Sequence, residues 1–193
     1  MAAKLFVERG YVATSVADIA ALAGVASKTI YLIFPSKRLL LDEVIGVALG
    51  GDDQPLRVLE REWAREILEA EPAQFAMLFA RATTALHERS AALLEAADAA
   101  AGADPDLAAR RDRGRQNRRA DMRIMAESFA ARSGADPTYV TDLLYTLGSA
   151  SVYSLLVFQS GWSSAAYRDW LALMLAHSLS ASPGGPRPQS GLE

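Results

Sequence analysis

The chain reads as all-α, and three features of the sequence say so. Ala, Leu, Glu and Arg dominate it, and no stretch alternates apolar with polar residues in the period-two manner of a strand. Apolar residues return instead at three- and four-residue intervals. Gly, Pro, Asp and Ser fall where helices of ordinary length should start and stop.

Taken in order, residues 2–9 form a first helix stopped by Gly10. Ser15 and Asp18 stand three apart ahead of an apolar run, the spacing of a capping box, and open a second helix over 15–23 that Gly24 ends. The stretch GVASKTIYLIFPSK at 24–37 supplies a third over 27–34, closed by Pro35. Ser36 caps a fourth, which runs to residue 49. After the break GGDDQP at 50–55, longer helices are expected over 56–69, 72–101, 104–132, 137–159 and 163–179, with Gly, Pro or Ser-Gly punctuation between them. The segment 182–193, SPGGPRPQSGLE, is too rich in Pro, Gly and Ser to pack and is expected to be disordered. This divides the chain into residues 1–50, residues 51–181 and a tail.

Composition removes several function classes. Without cysteine there is no disulfide, thiolate nucleophile or Cys-based metal site. Only two histidines occur, His87 and His177, so a His-based metal site is not expected, and no Gly-rich phosphate loop or supported Ser-His-acid set suggests an enzyme. No cofactor is implied. The most apolar run, 143–158, is interrupted by Gly148, Ser149, Ser151 and Ser154, which makes a poor membrane span, and no basic-then-apolar leader follows Met1. A soluble cytoplasmic protein is expected. The formal net charge of -3 conceals local contrast, because residues 106–125 hold seven Arg against three Asp. With Asp106, Asp112 and Asp121 within helical reach, that run reads as a solvated, ion-paired face. A seam of Leu107, Arg111, Gly114, Arg118 and Met122 nevertheless turns Arg111 and Arg118 inward, where each needs a carboxylate or an anionic ligand.

The third helix mixes two chemistries. At 100° per residue, Ser27, Lys28, Tyr31 and Leu32 gather on one side and Ile30, Ile33 and Phe34 on the other, with Thr29 at the edge. The apolar side should pack on Leu5, Val16, Ile19 and Ala20. Two helices joined by Ala23-Gly24-Val25, the second with short polar donors near its start, suit a DNA major groove as well as they suit an ordinary bundle turn. In the groove, Lys28 would bind a phosphate or guanine, Ser27 and Thr29 a base edge or phosphate, and Tyr31 a phosphate. Leu32 offers apolar contact alone, for instance with a thymine methyl.

The segment FVERGYVATSVADIAALAGVASKTIYLIFPSKRLLLDEV, residues 6–44, resembles the DNA-binding domain of TetR-family transcriptional regulators. The likeness is carried by Gly-Tyr, Thr-Ser-Val with Asp-Ile-Ala, Ala-Gly-Val, Thr-Ile-Tyr with Phe three residues on, and Ser-Lys. It implies a helix-turn-helix head in which Thr14 and Lys37 hold phosphates at the two ends of the motif, Lys37 beside the peptide N–H groups that open the fourth helix. The chain departs from the family at Ala26, Leu32 and Ile33. Family members usually begin with a basic arm and a longer first helix, so about ten residues are expected to be missing ahead of Met1.

Residues 56–181 resemble, more loosely, the family's effector-binding and dimerisation domain. Phe75, Phe79, Thr83 and His87 of one helix, with Arg118, Met122, Met125, Phe129 and Tyr145, would line a mostly apolar effector cavity. The helix over 137–159 is apolar on every side and must be covered all round. A second subunit is the expected cover, with Leu147, Ser151, Leu155 and Phe158, and Trp170, Leu171 and Met174 of the last helix, at the interface. The implied function is a homodimeric, ligand-responsive repressor that leaves a palindromic double-stranded DNA operator when an unidentified small molecule binds. A helical interaction protein that has lost specific DNA binding is the alternative.

Overall fold

The computed structural model describes residues 1–180. The expected disordered tail, 182–193, lies outside the described residues. Among those described there is no strand, and the order of helices is α1 (Ala2–Ala13), α2 (Val16–Ala23), α3 (Ser27–Ile33), α4 (Lys37–Gly50), α5 (Glu62–Glu69), α6 (Pro72–Ala100), α7 (Pro105–Ser133), α8 (Pro137–Leu147), α9 (Ala150–Ser154) and α10 (Ser164–Ser180). The chain is an all-α protein with an N-terminal helix-turn-helix and a helical C-terminal domain.

Local chemistry accounts for most boundaries. The Ser15 hydroxyl accepts from the Asp18 N–H while the Asp18 carboxylate accepts from the Ser15 N–H at 2.9 Å, so the capping box forms as the spacing predicts. Gly24 ends α2 in the left-handed region at φ 68°, which costs glycine nothing. Ser36 and Asp104 cap α4 and α7, and proline begins α6, α7 and α8, where its missing N–H is no loss.

Three boundaries differ from expectation. Gly10 kinks α1 at φ 79° without ending it, and the helix resumes to Ala13. Residues 56–61 do not join α5: the backbone wraps around the nearly buried Arg61, whose guanidinium bonds to Asp52 at 2.8 Å and to the Gln54 and Leu56 carbonyls. That leaves a single 3₁₀ turn, Val58–Glu60, before Glu62. The helix expected over 137–159 is broken at Gly148, where an added Cβ would stand 2.9 Å from both the Phe79 ring and the Leu144 carbonyl oxygen. The close approach of α6 needs glycine there, Ser149 caps a new helix, and a π-turn, Leu155–Gln159, follows it. Pro137–Gln159 is long and apolar enough to cross a membrane by composition, with a mean hydropathy of 1.3. Its break and the burial of Val140, Leu144 and Tyr153 make it part of the core.

Two cores share α6. The first joins Leu5, Phe6, Val16, Ile19, Ile30, Leu41 and Ile45 to Leu93 and Ala97 at the end of α6 and Leu107 at the start of α7. The second surrounds Phe75, Phe79, Met125, Phe129, Leu144, Tyr167 and Leu171. The expected division at residue 50 therefore separates segments of chain, while the N-terminal core continues into α6 and α7.

Candidate nucleic-acid interface and sensor core

The axes of α2 and α3 meet at 108°, within the range of helix-turn-helix units. Of the seven residues of α3, Ile30 alone is buried, in the cluster with Val16, Ile19 and Ala20, and Phe34 behind it is half-buried. Lys28, Thr29, Tyr31 and Leu32 are all exposed and Ser27 is partly so. One expectation fails: Ile33, assigned to the packed side, is 65% exposed. The helix ends at Ile33 and the chain turns extended at Phe34, so Phe34 takes the place under the helix that Ile33 would have filled.

The two phosphate positions implied by the resemblance make bonds within the chain. The Thr14 hydroxyl is buried and donates to the carbonyls of Gly10 at 2.8 Å and Leu5 at 3.1 Å, so it closes the kink in α1. The Lys37 ammonium donates to the carbonyls of Tyr11 and Thr14, both at 2.9 Å, and lies 4.1 Å from the centre of the Tyr11 ring. Burial lowers its pKa. Both side chains tie the end of α1 to the start of α4 and brace the head from behind.

In the C-terminal domain the apolar residues expected to line a cavity lie together in one cluster. Phe75, Phe79, Met122, Met125 and Phe129 are buried against one another, with Phe75 and Phe129 ring centroids 4.7 Å apart, and Thr83 and Tyr145 flank them half-buried. The polar members converge on the end of α8. His87 Nε2 lies 3.0 Å from the Gly148 carbonyl oxygen, which makes that nitrogen the protonated one, while buried Nδ1 has no partner. Burial, with a further push from Arg118, lowers the imidazole pKa to about 4. Arg118 does turn inward, and among the described residues no carboxylate pairs with it. Its guanidinium donates to the Tyr145 carbonyl at 2.6 Å and the Leu144 carbonyl at 3.3 Å, where the negative end of the α8 dipole serves as counter-charge, and it stacks 4.5 Å from the Tyr145 ring centre. Arg111 stays near the surface with Asp112.

The rest of the arginine run reaches mostly to other helices. Arg110 pairs with Asp42 of α4 at 2.6 Å, Arg115 with Asp98 of α6 and Arg119 with Asp142 of α8. Asp112 alone of the three expected acids pairs within the run, since Asp106 faces Arg38 and the Asp121 carboxyl is raised in pKa by burial.

The expected dimer face divides in two. Leu155 and Phe158 emerge at 52% and 47% exposure beyond the Gly148 break, Ser151 is exposed, and Leu147, Trp170 and Met174 are half-buried. Leu171 is a correction: at 0% exposure it is core of its own subunit. Leu173, two residues on, is the large apolar residue of α10 that is exposed, and an amphipathic reading of a helix apolar nearly all round could not choose between them.

A helix-turn-helix whose second helix is buried at one position and exposed on the rest has the form of a DNA-binding unit. Residues 1–44 match the family model for bacterial regulatory proteins, tetR family, so the N-terminal segment is similar to the DNA-binding domain of those regulators. The match stops within α4 and does not extend over the C-terminal domain. No curated protein and no solved structure was found to match the chain.

Proposed function

We propose that the protein is a homodimeric cytoplasmic repressor that reads a palindromic operator through α3 and releases it when a small molecule enters the C-terminal domain. The observation that carries the reading is the outward presentation of Lys28, Thr29, Tyr31 and Leu32 around a helix anchored by Ile30. Exposed Leu155, Phe158 and Leu173 support a subunit interface, because large apolar side chains left in water gain from being covered on association. A dimer would place two α3 helices one helical turn of DNA apart, about 34 Å.

The effector reading rests on His87 and Arg118. Both are polar groups held in an apolar domain, and the unpartnered Nδ1 of His87 is an acceptor that a ligand donor would satisfy. Signal transmission is supported by bonds from the sensor to α4: Arg110 to Asp42, and Arg89 of α6 to the Ala48 carbonyl at 3.2 Å. A ligand that shifts α6 or α7 shifts the lever that carries the head.

The test is binding of the parent and of Lys28→Ala combined with Tyr31→Phe to a duplex carrying the gene's own promoter. Both side chains are exposed, so the variant should fold normally and lose at least tenfold in affinity. Equal binding by the two proteins would remove α3 from the interface.

A further inference from the structure

Leu32 and Ile33 form the most exposed apolar step on the head, at 76% and 65% exposure, and neither is needed to hold α3 in place. At 100° per residue Leu32 lies about 160° round the helix from buried Ile30, so it faces directly away from the body of the protein. Lys28 and Thr29 flank it at about 40° and 60°, and Ile33 follows on the far side of Thr29. The centre of the outward face is therefore a leucine, with an ammonium on one side and a methyl-bearing hydroxyl leading to an isoleucine on the other.

Neither hydrocarbon can read a donor or an acceptor. In the major groove the sole apolar feature of a base pair is the C5 methyl of thymine, which projects into the groove. Leaving two large apolar side chains in water forgoes the stabilisation that burial gives, and a thymine methyl is the groove partner that recovers it without leaving a base edge unsatisfied.

We propose that the Leu32–Ile33 step is a methyl reader: base selection at the positions it covers is for thymine, made by apolar contact, with Lys28 fixing register on an adjacent phosphate or guanine. This rests on the DNA-binding reading of α3 and deepens it. It assigns sequence choice to two residues without hydrogen-bonding side chains, one of which the sequence places on the packed side.

The experiment uses the full chain and a duplex enriched by it from a random pool. Each thymine of that duplex is replaced in turn by deoxyuridine, which keeps every hydrogen-bonding group and removes only the methyl. At one or two positions per half-site the affinity of the parent should fall about fourfold, the worth of one buried methyl. In Leu32→Ala or Ile33→Ala the same replacement should cost less than 1.5-fold, because the partner of the methyl is gone. The proposal is overturned if no deoxyuridine lowers parent affinity, or if the loss persists unchanged in both variants; DNA binding by α3 would survive either result. A parent that enriches no sequence overturns the proposal together with the reading beneath it, and capture of a protein in place of DNA by the same two residues would do so too.

Discussion

Single residues decide whether a family position still carries the family's chemistry. Thr14 and Lys37 stand where the resemblance expects phosphate ligands, yet both are spent on backbone carbonyls, and nothing in a linear pattern distinguishes an ammonium aimed at DNA from one aimed at Tyr11. The bracing role predicts that Lys37→Met lowers the stability of the DNA-free protein by about 1–2 kcal/mol, as expected for loss of charged hydrogen bonds that are partly open to solvent. Thermal denaturation without DNA measures it; an unchanged midpoint would return Lys37 to the phosphate role. His87 makes a second prediction. Its folded pKa, about 4, lies below the ordinary value of 6.5, so the unfolded chain takes up a proton first as pH falls. Stability should be fully present above about pH 6.5 and be lost progressively from there to about pH 4, by up to about 3 kcal/mol. Denaturant midpoints across that window check it, and His87→Leu should flatten the slope.

Helices were legible where their ends carry side-chain chemistry, and illegible where a neighbour imposes the end. Ser15 with Asp18, Gly24, Ser36 and the prolines at the start of α6, α7 and α8 are local signals, and each fell within a residue of the observed boundary. The break at Gly148 comes from the Phe79 ring of another helix, and the late start of α5 from the Asp52–Arg61 pair across a loop. The amphipathic reading of α3 placed Lys28, Tyr31 and Leu32 outward but missed Ile33, which lies in the last helical position, where the chain leaves the helix at Phe34 and no further turn covers it. Gly148→Ala should cost about 1–3 kcal/mol by forcing its methyl against the ring. In the same equilibrium measurement Phe79→Leu should recover part of that loss. Between elements, the Arg110–Asp42 pair joins α7 to α4 with modest exposure at both ends. Arg110→Ala should change stability by about 1 kcal/mol or less while weakening any effect of a bound effector on DNA affinity. Parallel melting and DNA-binding titrations separate the two consequences.

At the scale of the whole molecule, α6 is the spine: its C-terminal end closes the core of the head and its N-terminal end the core of the sensor. The two parts are packed through α6 together with the start of α7, a connection that the proposed transmission from the C-terminal domain to α3 would use. Leu155 and Phe158 are exposed apolar residues beyond the Gly148 break, and on the proposed interface the Leu155→Glu and Phe158→Glu double variant should sediment as a monomer with weakened operator affinity. An unchanged sedimentation coefficient would move the interface elsewhere.

The central claim is that α3, held from behind by Ile30, reads DNA as one of a symmetric pair. Enrichment of bound duplexes from a random pool tests it most directly. The account predicts two inverted copies of a short thymine-containing half-site, about 10 base pairs from centre to centre or a multiple of that spacing. A pool that stays random after repeated rounds, or that yields a single unpaired site, would contradict it.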